Sequence, residues 1–215
     1  MRRFLAVVLA CALPACALAD VVGVTGMYAD SNIHQITAPN GQALYFTAIE
    51  AEPPVVYADV NFDGLEDIVV TVASGAANFY SIFFVQTASG YVRANWDAGD
   101  DTGLPNYQLH PDLGLVSTHA NNGWAGLLHD DCLFRWEGAS LVWVRRSVCD
   151  MYHEFTYGEG FYTGTAYNDR VQWRVTERAQ DGAETILHEA VLTAEEASQP
   201  GVFDEGQEAL WEGVR

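Results

Sequence analysis

The stretch Val55-Val56-Tyr57-Ala58-Asp59-Val60-Asn61-Phe62-Asp63-Gly64-Leu65-Glu66-Asp67-Ile68-Val69-Val70-Thr71-Val72 decides the fold class. Two runs rich in β-branched residues, 55–58 and 68–72, flank a nine-residue segment with Asp, Asn, Asp and Asp at positions 1, 3, 5 and 9 and Gly at position 6. Val, Ile, Thr and Tyr at this density fit a half-buried pleated surface, so the segment reads as a loop between two strands. Odd positions of such a loop converge on one side, Gly permits the sharp turn, and the carbonyl of the seventh residue can complete an oxygen cage. Asp59, Asn61, Asp63, Leu65 (through its carbonyl) and Asp67 are therefore candidate Ca²⁺ ligands. The set contains no His or Cys, which disfavours zinc. It is not a full EF-hand, because position 12 is Val70 and the flanks are strand-like. The metal-free alternative is an Asx-turn hairpin, in which three Asp carboxylates within nine residues would repel one another.

The same pattern of short apolar or alternating runs, separated by Gly, Asn, Asp and Pro, continues outward in both directions. Strands are expected at 21–28, 43–48, 55–59, 68–72, 79–86, 91–95, 113–117, 132–136, 141–145, 154–157, 160–167, 171–178 and 185–192. Turn chemistry lies between several of them, at Pro39-Asn40-Gly41, Ser89-Gly90, Glu137-Gly138 and Asp181-Gly182. Helix signals are confined to the end of the chain. Thr193 with Glu196 three residues on forms a capping box that Pro200-Gly201 cuts short, and 206–211 could add a turn. The reading is an all-β, compact antiparallel fold with at most a short C-terminal helix.

The charge is unusual. Ten basic residues, all Arg, stand against 29 acidic ones in 215 residues, for a net charge of −19. A field of that sign repels phosphate backbones and anionic lipid, so nucleic-acid binding is excluded as a function class. With 49% hydrophobic and 12% aromatic residues the chain has enough apolar material to fold, unlike a disordered acidic tail.

The N-terminus reads as a secretory signal peptide over residues 1–19: Arg2-Arg3, an apolar run from 4 to 13, and Ala17-Leu18-Ala19 as the cleavage motif. The apolar run is too short for a transmembrane anchor. Leu13-Pro14-Ala15-Cys16 offers the alternative of lipid attachment at Cys16, so the expected location is the periplasm or outside the cell, or else the outer membrane as a lipoprotein. Cleavage would leave a single all-β domain, 20–215, with 8 basic and 29 acidic residues and a charge of −21. In an exported chain Cys132 and Cys149 would be expected to form a disulfide. A hairpin with Trp136 facing Leu141 puts Cys149 opposite Leu128, about 13 Å from Cys132, so the bridge requires the second strand to bend after Arg146.

The run from Pro54 to Ile68 resembles the calcium loop of FG-GAP and VCBS-type repeats. Ser74-Gly75-Ala76-Ala77-Asn78-Phe79-Tyr80, the segment 85–93 with its Ser89-Gly90 turn, Phe134-Arg135-Trp136-Glu137-Gly138 and Leu141-Val142-Trp143-Val144-Arg145 are similar to a group of small periplasmic immunity proteins. These inhibit peptidoglycan-hydrolase effectors of a bacterial-killing type IV secretion system. The resemblance covers residues 54–146. It implies a compact, propeller-like β-fold with one calcium loop held by Asp59, Asn61, Asp63, Leu65 and Asp67, and it assigns no inhibitory residue. Since only one strict loop copy occurs, the fold expected is a degenerate small propeller.

Other signals are weaker. His129-Asp130-Asp131 and His110-Pro111-Asp112 match no ligand spacing and read as solvated loop residues. G-x-S-x-G, G-x-x-x-x-G-K and G-x-G-x-x-G are absent, so no catalytic role is expected. Trp96, Trp124, Tyr107, Tyr152, Tyr157, Phe161, Tyr162 and Tyr167 read first as core; within 155–167, where Tyr157, Phe161, Tyr162 and Tyr167 are interleaved with glycines, Tyr157, Phe161 and Tyr162 are the candidate partner contacts. The functional expectation is an exported, Ca²⁺-binding inhibitor of a basic, lysozyme-like peptidoglycan hydrolase. The alternative is a structural or adhesive envelope module with no inhibitory role.

Overall fold

A computed structural model describes residues 25–26, 33–97, 103–123, 127–158 and 161–214. The expected leader with Cys16 and Ala19, most of the expected strand at 21–28, and Trp124 lie outside the described residues. The chain is all-β and antiparallel with two short C-terminal helices. A three-stranded sheet runs β1 (Thr25–Gly26), β2 (Ile33–Thr37), β3 (Ala43–Thr47). A five-stranded sheet runs β4 (Val55–Ala58), β5 (Asp67–Ser74), β6 (Phe79–Thr87), β7 (Gly90–Arg93), and β9 (Leu104–Pro105) also pairs with β6. A seven-stranded sheet follows chain order through β10 (Gln108–His110), β11 (Leu115–Gly123), β12 (Leu128–Glu137), β13 (Ser140–Gly158), β14 (Phe161–Arg178) and β15 (Glu184–Thr193). Its remaining strand, β8 (Asn95–Trp96), pairs in parallel with the start of β13. The three sheets are thus unequal, with three, five and seven strands.

Two apolar clusters cover the opposite faces of the large sheet. Val116, Cys132, Phe134, Leu141 and Trp143 pack with Val60, Val69, Phe83 and Val85 of the five-stranded sheet. Leu133, Cys149, Val171, Trp173 and Val175 pack instead under α1 (Ala194–Ala197) and α2 (Asp204–Trp211), through Ala197 and Leu210. A third cluster joins Leu44 and Phe46 of β3 to Ile68, Val70 and Phe84.

The helices start and stop for identifiable reasons. Thr193 and Glu196 form the capping box the sequence announces, with Thr193 Oγ1 accepting from Glu196 N at 3.2 Å. Residue 206 must be glycine, because a Cβ there would fall 1.5 Å from Trp173 Cζ2. No basic residue lies in the last turn of α2, and the buried Arg145 of β13 takes that role. Its Nη1 donates to the carbonyls of Ala209 (2.9 Å) and Glu212 (2.5 Å), while Nε and Nη2 bind Glu177 Oε1 at 3.0 and 2.7 Å.

The expected disulfide is not formed: Cys132 and Cys149 are both free and buried. Trp136 does face Leu141, but a bulge at Val144 shifts the register, so that Leu133 pairs with Arg145 and Phe134 with Trp143. Cys132 then pairs with Arg146 and Cys149 with His129. The two cysteines stand three rungs apart, about 10 Å along the strand, with side chains on opposite faces, which no local bend bridges. Burial raises both thiol pKa values, that of Cys149 to about 12, so neither is a ready nucleophile. Alkylation of unreduced protein is expected to label Cys132 and Cys149 only after denaturation. Loss of labelling, restored by a reductant, would mean that they are bridged.

Candidate functional site

The 59–66 segment is the connection between β4 and β5, closed at its base by the pairing of Ala58 with Asp67. Its side-chain oxygens are organised by backbone N–H groups. Asp59 Oδ1 accepts from Asp63 N (3.1 Å) and Oδ2 from Gly64 N (2.9 Å), Asn61 Oδ1 accepts from Asp63 N (3.2 Å), and Asp63 Oδ1 accepts from Leu65 N (2.9 Å). Asn61 Nδ2 donates to Asp63 Oδ2 at 3.0 Å. Gly64 is at φ +84° and Phe62 at φ +64°. A left-handed Phe is costly on its own and is retained here by ring packing against the inter-sheet core.

Asp67 behaves differently from the other four candidates. It is fully buried (0% exposed), and its carboxylate spans two elements: Oδ2 accepts from Val60 N at 2.9 Å and Oδ1 from Gln86 N of β6 at 2.7 Å. Burial raises its pKa above the ordinary 3.8, with the two backbone donors opposing the shift. The loop is also tied to the large sheet, because Trp136 Nε1 donates to the Val60 carbonyl at 2.7 Å. Tyr91 Oη reaches the Glu66 carbonyl at 3.2 Å.

The structure therefore brings Asp59, Asn61 and Asp63 together at the exposed tip, places Leu65 beside them with its side chain 42% exposed, and turns Asp67 inward as a clamp. Every side-chain donor in this set is a hard oxygen, and each hydrogen-bonded carboxylate oxygen keeps lone pairs for a cation, so the chemistry suits Ca²⁺. Among the described residues no group of three or more His, Cys, Asp or Glu side chains is arranged to hold a metal ion.

Two features escaped the sequence reading. His129, Asp130 and Asp131 are not solvated loop residues but lie on β12, where His129 is buried and Asp131 sits between His119 Nδ1 (2.7 Å) and His129 Nε2 (3.7 Å). Asp130 pairs with Arg146 across the strand. The second feature is a pair of adjoining grooves, about 410 and 540 Å³, that share Asp97 and Trp143. Arg135, Arg146, Arg174 and Arg178 line them, each in an ion pair, and the Arg178 guanidinium lies 5.3 Å over the Trp143 ring. Long-range strand pairing assembles both features, and no local motif signals it. Of the candidate partner contacts, Tyr157 and Tyr162 face each other across the β13–β14 hairpin and Phe161 pairs with Gly158. Their side chains lie outside the described residues.

No protein-family model and no curated protein matches the chain. A solved structure, "Structure of a Xanthomonas Type IV Secretion System related protein", is similar at TM-score 0.42 and 12% identity, over 78% of this chain and 86% of that one. Among the described residues no helix is long and apolar enough to cross a membrane.

The clamp makes a specific prediction. Asp67→Asn keeps one acceptor but turns an amide NH₂ toward a buried backbone N–H, and is expected to cost about 1–3 kcal/mol in urea unfolding. The wild type should also lose stability as pH rises from 3.8 through the raised folded-state pKa, because over that interval the folded state holds the proton more tightly than the unfolded state. Asp67→Asn should remove this slope; an unchanged midpoint and slope would show that Asp67 is not the clamp.

Proposed function

We propose that this protein is an exported, non-catalytic binding module of the bacterial envelope that inhibits a basic, lysozyme-like peptidoglycan hydrolase, with Ca²⁺ held at the loop tip. The observation that supports the Ca²⁺ part of the reading is the 59–67 loop. Its carboxylates are pre-ordered on backbone N–H groups, and its base is anchored to β6 through Asp67 and to β12 through Trp136. Asp59, Asn61 and Asp63 would hold the ion, with the Leu65 carbonyl and the remaining lone pairs of Asp67 as further donors. The bound cation would relieve repulsion among the carboxylates and stiffen the join between the sheets. A net charge of −19 supports a basic partner, whose approach it would accelerate in a salt-sensitive way.

Two experiments test this. Titrating the protein into a lysozyme-type muramidase assay is expected to abolish lysis near equimolar ratio and more weakly at high salt; undiminished lysis at excess protein refutes the inhibitor. For the metal, Ca²⁺ at about ten times its Kd should add about 1.4 kcal/mol of stability, read as a chelator-sensitive rise in Tm that Asp63→Ala abolishes. The same melt with and without chelator in the wild type would mean that the loop works without an ion.

A further inference from the structure

The large sheet ends in β15, and among the described residues nothing pairs with its outer edge. The strand is ten residues long and carries no Lys or Pro, two of the usual protections of an edge against further pairing. Its one irregularity is a bulge at Leu187, since Ile186 pairs with Thr176 and His188 with Val175. Beyond it, residues 188–193 run in unbroken register with 175–170. Apolar side chains stand out along this edge, with Ile186 51% and Val191 46% exposed. They share a face with Arg174 and Gln172, which bind Glu189, and so border the larger groove.

Charge indicates which kind of strand could add here. Residues 179–214, which carry β15 and both helices, hold nine carboxylates and no Arg or Lys. Asp181, Glu184 and Glu195 lie on the strand or just beyond its two ends, beside Glu189, which Arg174 pairs, and Glu196, which caps α1. A second copy of this chain would bring the same charge to the same edge, and like charges placed opposite one another are destabilising. A strand alternating basic and apolar residues would satisfy the free backbone groups, cover Ile186 and Val191, and neutralise the flanking carboxylates.

We propose that the outer edge of β15 takes up an extended basic segment of a protein partner by strand addition. The proposal rests on the reading that the partner is a basic protein, and it adds where that partner attaches.

The probe is a fluorescent decapeptide of alternating Arg and Val, titrated by anisotropy against the full chain, with an alternating Glu–Val peptide as control. Binding of the Arg–Val peptide alone is expected, weakened by salt and accompanied by amide-exchange protection of residues 188–193. The double variant Ile186→Lys/Val191→Lys, which charges the edge without touching the core, should weaken binding about tenfold or more. Ile49→Lys/Leu113→Lys, the same charge change at exposed sites elsewhere, should leave it nearly unchanged. Equal loss in both variants, no binding, or dimerisation of the free protein through β15 would each overturn the proposal. Muramidase inhibition is measured in parallel. If inhibition survives Ile186→Lys/Val191→Lys intact, the edge proposal fails while the inhibitor reading stands. If the wild type does not inhibit but the peptide result holds, the inhibitor reading fails and the edge site stands.

Discussion

One buried carboxylate holds the arrangement together. Asp67 is at once the last residue of an acidic loop and the first residue of β5, and its two oxygens take backbone N–H groups from the loop and from β6. A carboxylate suits this place because it accepts on both oxygens, whereas an amide would present a donor to one of the two N–H groups. Taking a charge out of water costs several kcal/mol, and the two charge-assisted hydrogen bonds offset part of that cost. Fixing Val60 N in turn places the Val60 carbonyl under the Trp136 indole, so the same clamp orients the five-stranded sheet against the seven-stranded one.

Much of the β architecture was legible because local patterns carried it. The apolar runs, the Gly-containing turns and the capping box at Thr193 all mark elements that form. β2 went unread because Ile33-His-Gln-Ile-Thr37 buries His34 together with Ile36, so a polar side chain occupies the inward position where alternation is sought. β13 and β14 each read as two strands, since Asp150 and the polar run 168–170 interrupt the apolar pattern. A hydrogen-bonded ladder does not require apolar side chains on its solvent face, so pairing continues with a register shift between Met151 and His153.

The site was legible only in part, and the division follows sequence distance. Asp59, Asn61 and Asp63 interact within five residues, which spacing alone reveals. The destinations of Asp67 and Trp136 depend on partners 19 and 76 residues away. The cysteines teach the same lesson from the other side. Their pairing turned on strand register, and the single extra residue at Val144 moves everything beyond it by one rung. In the resulting order the thiols belong to separate cores.

The parallel contact between β8 and β13 joins the strand pair most distant in sequence within the large sheet. From β10 to β15 each strand pairs with its sequence neighbour, and such local pairing closes short loops at small entropic expense. Asn95 and Trp96 can join Ser140 and Leu141 only after the intervening chain has returned. The five-stranded sheet is likewise paired neighbour to neighbour from β4 to β7, so each sheet closes through local hairpins, whereas the contact of β8 with β13 and the Trp136–Val60 bond span long stretches of chain.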